Sequence, residues 1–325
     1  MLFHGNFPVG AARALSVLFL SVLVAACSGS GSDGSSQAQR SPTTGRTRSG
    51  EFTALTYNVA GLPQGISGSD PAENTPLIAP LLDDFDLVLL QESWKTPDPN
   101  PVAPLRVYHE ILEEASSHPY KSEAAPQPLG KNPDRPTALL SDGLNRFSRF
   151  PFDRLVRVPW NGCFGDARVG AADCLAFKGF SVALTRIAEG VEVDVYNLHA
   201  EAGSEPQDQQ LQAEDFRQLA EYMIRHSKGR PVIMGGDTNL HVDRPEDKAI
   251  WDEFLDATGL KDVCDVLDCG EDRFVIDKFA FRSAGRVTIE PLEHEFLRER
   301  FRRSDGEPLS DHDPLMVRWR WAVRD

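Results

Sequence analysis

The sequence is poor in positive charge: 34 Lys and Arg stand against 49 Asp and Glu, leaving a net charge of −15. Nucleic-acid binding draws most of its non-specific affinity from Lys and Arg, so so acidic a body argues against a DNA or RNA partner unless a local basic groove survives. The chain also lacks an internal repeat, a second linker after residue 50, any C-x-x-C pair and any His or Cys cluster. These absences leave one large globular unit and disfavour a zinc centre.

What is present begins with an export signal. Arg13 precedes a short apolar run, residues 14–26, that ends in small residues and is too short to span a bilayer comfortably. Leu23-Val24-Ala25-Ala26-Cys27 resembles the bacterial lipoprotein signal, in which cleavage leaves the cysteine as a lipid-modified first residue. An ordinary secretory signal is the alternative. The expected layout is a signal peptide over 1–26, a lipidated Cys27 with a Ser/Gly linker over 27–50, and a globular domain over 51–325. The linker is dominated by Ser, Gly, Thr and Arg and cannot bury enough surface to order itself. Its r.m.s. reach is about 25 Å, which would keep the domain near a membrane. The expected location is a bacterial cell envelope, as an exported lipoprotein at the outer membrane or facing the periplasm, with secretion as the alternative.

Of the five cysteines, four remain once Cys27 is assigned to the anchor, and these allow three pairings. Closeness in sequence favours Cys163 with Cys174 and Cys264 with Cys269, and export makes disulfides plausible. Hydrophobic patterning predicts strands at 52–58, 86–92, 137–140, 146–150, 155–160, 175–186, 191–198, within the run 232–240, 274–281, 286–289 and 316–323. Helices are expected at about 102–116, 207–226 and 246–257. Many strands with interspersed helices but no strict βαβ repeat predict stacked sheets with outer helices, not a doubly wound parallel sheet.

The chain is organised around Val232-Ile233-Met234-Gly235-Gly236-Asp237-Thr238-Asn239-Leu240, an apolar run that ends in two glycines, a carboxylate and an amide. Other apolar segments end likewise in a polar group: Asn58, Glu92, His199, Asp277, and the Asp311-His312 pair. A charge ending a strand as apolar as that before Glu92 is costly unless paired or metal-bound. The oxygen donors Asn58, Glu92 and Asp311 suit a hard cation, Mg2+ first with Mn2+ or Ca2+ as alternatives, because few protein ligands leave coordination places for water and a phosphate.

Six ordered motifs, Thr56-Tyr57-Asn58-Val59, Leu90-Gln91-Glu92, Asn197-Leu198-His199, Gly236-Asp237-Thr238-Asn239, Ile276-Asp277 and Ser310-Asp311-His312, resemble those of the endonuclease/exonuclease/phosphatase superfamily. The resemblance implies the deoxyribonuclease I-like fold, a four-layered α/β sandwich of two facing, mostly antiparallel sheets with outer helices. It implies metal ligands Asn58, Glu92 and Asp311. His312, oriented by Asp277, would take a proton from a water that Asp237 and Asn239 position, and His199 would donate to the phosphoryl oxygens. Which of Asp237 and His312 is the base stays open.

Within that superfamily, Leu198-His199-Ala200-Glu201, Phe147-Ser148-Arg149-Phe150-Pro151, Lys178-Gly179 and Asp237-Thr238-Asn239-Leu240-His241 resemble stretches of neutral sphingomyelinases. Lys178 is then a candidate for the substrate phosphate, and Asp173 resembles an aspartate that pairs with such a lysine. The implied activity is Mg2+-dependent hydrolysis of a phospholipid headgroup. An exported nuclease or a phosphatase of the same superfamily, or a silent binding protein on this fold, are the alternatives. No large hydrophobic insertion is present to dip into a bilayer; Trp160, Phe164 and Phe177 are the candidates for a membrane-facing edge, or else core residues.

Overall fold

A computed structural model describes residues 48–62, 67–94, 108–125, 135–166 and 168–324. The expected signal peptide, the lipidated Cys27 and most of the linker lie outside the described residues. In chain order the first half forms β1 (Arg48–Asn58), α1 (Pro71–Leu81), β2 (Leu87–Gln91), α2 (Tyr108–Ala115), β3 (Tyr120–Lys121), β4 (Asn145–Ser148) and β5 (Phe152–Pro159). The second half forms β6 (Gly179–Ala188), β7 (Val191–His199), α3 (Pro206–His226), β8 (Val232–Asp237), α4 (Pro245–Thr258), β9 (Lys261–Asp262), β10 (Asp277–Arg282), β11 (Val287–Phe296) and β12 (Leu315–Val323).

The strands make two six-stranded sheets, in the orders β11-β12-β1-β2-β4-β3 and β5-β6-β7-β8-β10-β9. Each has one parallel pair near its middle, β1 with β2 and β7 with β8, and is otherwise antiparallel. Strand alternation divides the side chains into three cores. Phe52, Ala54, Leu87, Leu89, Val193, Val195, Ile233, Phe279, Phe281, Val317 and Trp319 meet between the sheets. Leu55, Tyr57, Val88 and Leu90 point the other way, against Ile78 and Ala79 of α1 and Leu112 of α2. Tyr196, Leu198, Val232 and Met234 pack on Phe216, Leu219 and Met223 of α3 and Trp251 and Phe254 of α4. The result is a four-layered α/β sandwich, as the motifs implied, and burial on both faces explains why the central strands read as continuous apolar runs. Trp319 is fully buried and makes edge contacts with Phe279 and Phe281 at 5.9 and 5.4 Å. Its neighbours Arg318 and Arg320 turn outward to Glu51.

Several local expectations change. β1 begins at Arg48, with Arg48 to Gly50 paired to β12, so the linker boundary at residue 50 falls inside a strand. The strand expected at 137–140 is reduced to a single bridge between Leu140 and Ala176. Residues 173–175 form a short 3-10 turn in place of the start of β6, and residues 270–274 another in place of the start of β10. The sequence reading missed α1, whose internal Pro76 and Pro80 hide the helical pattern. Both disulfides join the cysteines nearest in sequence, Cys163 with Cys174 and Cys264 with Cys269. Trp160 is buried in the core under α3 and donates its indole N–H to the His199 carbonyl at 2.8 Å, so it is no membrane-facing residue.

Candidate active site

The same alternation that fills the inter-sheet core builds the site. Along β7 the inward positions are Val193, Val195, Asn197 and His199; along β8 they are Ile233, Gly235 and Asp237; along β1 they are Phe52, Ala54, Thr56 and Asn58. Apolar side chains fill the middle of the sandwich and polar ones appear where the strands reach its end. Strand direction matches: β1, β2, β7 and β8 run toward that end, and β10 and β12 start from it. His199, Asp237 and Asp277 lie in one row across three adjacent strands, because His199 pairs with Asp237 and Asp237 with Asp277. Asp311 and His312 come just before β12, whose Leu315 pairs with Thr56. Below them Gln91 donates to Asn197 at 2.6 Å, and Asn197 donates to the carbonyls of Leu90 and Asn145, a buried link between the two sheets.

Asn58 sits at the centre of the site. Its amide nitrogen donates to Glu92 Oε1 at 3.0 Å and Asp237 Oδ2 at 3.1 Å, and lies 3.4 Å from His312 Nε2. Its amide oxygen accepts from the Ala60 N–H at 3.1 Å. In this orientation Asn58 ties the two sheets together as a donor. To ligate a cation it must turn its oxygen inward and release Ala60. His312 Nδ1 is 2.7 Å from Asp277 Oδ2, which fixes the ring, and its Nε2 lies 3.7 Å from Asp237 Oδ2. His199 Nε2 lies 3.4 Å from the same Asp237 oxygen. Asn239 gives its amide nitrogen to the Ala200 carbonyl at 3.1 Å and its backbone N–H to Asp237 Oδ1 at 3.0 Å. Lys178 is ion-paired with Asp173 and donates to the Ala200 carbonyl, so in this state it is engaged away from any phosphate. Asp311 is exposed and accepts from Ser310 Oγ, whose hydroxyl also reaches the Asn58 carbonyl. The nine residues expected in the site are therefore at one end of the sandwich, around Asn58 and Asp237.

Strain concentrates here as well. Among the described residues five that are not glycine have positive φ, and Ala60, Glu92 and Asn239 are three of them. Such backbone persists only where its surroundings over-determine it. Gly236, with φ of 152°, is needed for a different reason: a β-carbon there would run into the Leu198 backbone.

The electrostatics follow from burial and from the neighbours. Burial pushes Glu92 up, and the nearby Asp311 charge pushes the same way against Lys178 and the Asn58 amide. An anion destabilised beside a second carboxylate is a donor set that a hard divalent cation relieves, so Glu92 and Asp311 fit one, with the Asn58 oxygen available on rotation. Burial alone would lower His312, but the Asp277 and Asp237 carboxylates outweigh it and push the imidazole well up. Burial would likewise raise Asp237, yet His312, His199 and Lys178 together hold it below the usual carboxylate range. Burial, joined by Lys178, holds His199 far below its ordinary value. His199 is therefore neutral near pH 7. Its Nδ1 has no hydrogen-bond partner among the described residues.

Two residues beside the site were not among the expected site residues, although Glu201 stood in the Leu198-His199-Ala200-Glu201 stretch. The Trp94 ring lies 6.2 Å from the His199 ring. Glu201 is buried two residues after His199, accepts from the Phe164 N–H at 2.5 Å, and donates its own N–H to Asp215. Burial, with Asp173 adding, pushes the Glu201 carboxyl from 4.5 to about 8. The unfolded chain gives up this proton first, so the contribution of this carboxyl to stability is full below pH 4.5, falls as pH rises toward about 8, and is level above that. Glu201→Gln is expected to flatten this fall, as read by urea unfolding at about pH 5 and about pH 8. Equal losses in the variant and the parent protein would contradict this assignment.

Comparison with known proteins places this geometry. Residues 55–312 match the Endonuclease/Exonuclease/phosphatase family. A sphingomyelinase of Mycobacterium tuberculosis is 31% identical over 298 residues, covering 85% of this chain and 54% of that protein. The chain thus spans about half the length of the relatives it matches. Among solved structures, a beta toxin mutant of Staphylococcus aureus with bound magnesium ions has a TM-score of 0.56 at 14% identity, covering 85% of this chain and all of the other. TDP2 of D. rerio, complexed with a single-strand DNA product, has a TM-score of 0.57 at 16% identity, covering 83% of this chain and 98% of the other. At such identities these two likenesses speak for the fold.

Proposed function

This chain belongs to the endonuclease/exonuclease/phosphatase family, and we propose that within it the protein is a Mg2+-dependent phosphodiesterase that cleaves a phospholipid headgroup, as a sphingomyelinase-like phospholipase C. The observation that carries the chemistry is the Asp277-held His312 facing Asp237, joined through Asn58 to Glu92. The lipid substrate is supported by the 31% identity to a sphingomyelinase and by the acidic chain, which repels a nucleic-acid backbone.

Glu92 and Asp311 would hold the cation, with the Asn58 amide oxygen turned toward it. Bound there, a divalent ion withdraws charge from the phosphate and disfavours the imidazolium form of His312. Asp237 and the Asn239 amide hold a water next to His312 Nε2. Neutral His312 takes the water's proton as its oxygen bonds to phosphorus, and the bond from phosphorus to the lipid-side oxygen breaks. The leaving alkoxide needs one proton to become an alcohol, which balances the one His312 removed. Asp277 keeps the imidazole oriented through both proton positions. His199 donates to a non-bridging phosphoryl oxygen, and Lys178, on leaving Asp173, adds positive charge.

A substrate panel tests this reading. With Mg2+ present, the purified protein is expected to hydrolyse sphingomyelin or another phospholipid in vesicles and to leave single-stranded DNA intact, with chelation abolishing turnover. Hydrolysis of DNA but of no phospholipid would replace the lipid reading with a nuclease.

A further inference from the structure

The backbone of Glu92 has φ of 53°, a left-handed conformation that side chains with a β-carbon avoid. This residue does not end a turn of its own choosing; both its neighbours are buried and bonded. On the N-terminal side Gln91 is held by Asn197 of the opposite sheet and by Thr56. On the C-terminal side Ser93 donates its N–H to the Gly143 carbonyl at 3.0 Å and accepts on its own carbonyl from the Asn145 amide at 2.8 Å. The Ser93 hydroxyl lies 2.9 Å from His109 Nδ1, on α2. His109 is itself 1% exposed, backed by Glu113 one turn on and by the Phe147 ring at 6.2 Å. Gly61 closes the remaining side, since a β-carbon there would collide with the Glu92 carbonyl.

We propose that Ser93 and His109 are positioning residues for the metal ligand: the Ser93–His109 bond locks the residue after Glu92, and so holds its left-handed backbone with the carboxylate aimed at the cation. The inference rests on Glu92 being a metal ligand, as in the proposed function. The fold contains its own control. A second Ser–His pair, Ser116 Oγ to His118 Nδ1 at 2.8 Å, lies against the same Phe147 ring at 6.2 Å. That pair is equally buried but caps the Phe85 carbonyl and neighbours no site residue. A merely structural role for buried Ser–His pairs predicts the same consequences for both.

The test is a titration of the full chain with Mn2+, following free Mn2+ by electron paramagnetic resonance. Removing a partner that orients a metal ligand typically weakens binding about 10- to 100-fold, and Ser93→Ala and His109→Leu are expected to fall in that range. His109→Asn, whose amide takes the place of Nδ1, is expected to bind within about threefold of the parent, and Ser116→Ala likewise. In turnover assays the first two variants should need more metal but recover most of kcat when it saturates, with substrate KM unmoved. If Ser93→Ala and His109→Leu bind Mn2+ as the parent does, or if Ser116→Ala weakens it equally, the positioning role is overturned while the proposed function stands. If the parent protein itself binds no Mn2+, the reading of the site fails and this inference with it.

Discussion

Glu92→Gln is expected to abolish Mg2+-dependent turnover while the protein stays folded. The substitution keeps the shape of the side chain and the oxygen that accepts from Asn58, so this bond survives, and the Asn58–Asp237 bond that joins the two sheets is untouched. What it removes is the charge. A metal ion contributes several kcal/mol of charge stabilisation in reactions of this class, and each 1.36 kcal/mol is tenfold in rate, so a loss of about 10³-fold or more is expected. Burial and Asp311 already oppose ionisation of Glu92, so neutralising it should leave stability equal or slightly higher. Kinetics over a Mg2+ series, with thermal unfolding alongside, separates the two effects. A variant with near-parental rate would remove Glu92 from the site; one that loses both activity and fold would give it a structural role instead.

The second large effect is expected at His312. Loss of a positioned general base lowers rates by about 10²-fold or more, and His312→Ala should do so without unfolding the chain, since the ring is only partly buried. Asp277 and Asp237 favour the protonated imidazole, whereas proton abstraction needs the neutral one. Activity should therefore rise with pH as His312 loses its proton, and this rising limb should vanish in the variant's pH profile. A loss under tenfold, or a retained limb, would pass the role of base to Asp237. The removal of His312 should also push Asp277 further up, because this imidazole is the group that works against its burial.

Much of the site was legible in the sequence because each of its residues ends or starts a strand whose apolar run is easy to see. Val232 to Gly236 before Asp237 and Leu87 to Leu90 before Glu92 mark strands that must be buried, and a polar group at such an end needs a partner. Strand direction then explains how residues as distant as Asn58 and His312 meet. The two disulfides were legible from spacing. Orientation was not: no sequence pattern says that the Asn58 nitrogen, and not its oxygen, faces Glu92, whereas the pairing of Lys178 with Asp173 was suggested by the resemblance. Ser93 was hidden beside a stronger signal, and His109 lies on a helix of which only its helical spacing was visible. The start of β10 was misplaced because Phe274-Val275-Ile276 reads as strand, while the turn at 270–274 ends there instead.

The central claim is that these chain segments converge on one divalent ion facing a base held by a carboxylate. The most direct measurement is a crystal structure with Mn2+, located by its anomalous scattering. The account predicts an ion at about 2.1 Å from a Glu92 carboxylate oxygen, with Asp311 at the same ion and Asp237 and His312 across from it. An ion bound elsewhere, or one whose ligands leave Glu92 out, would contradict it.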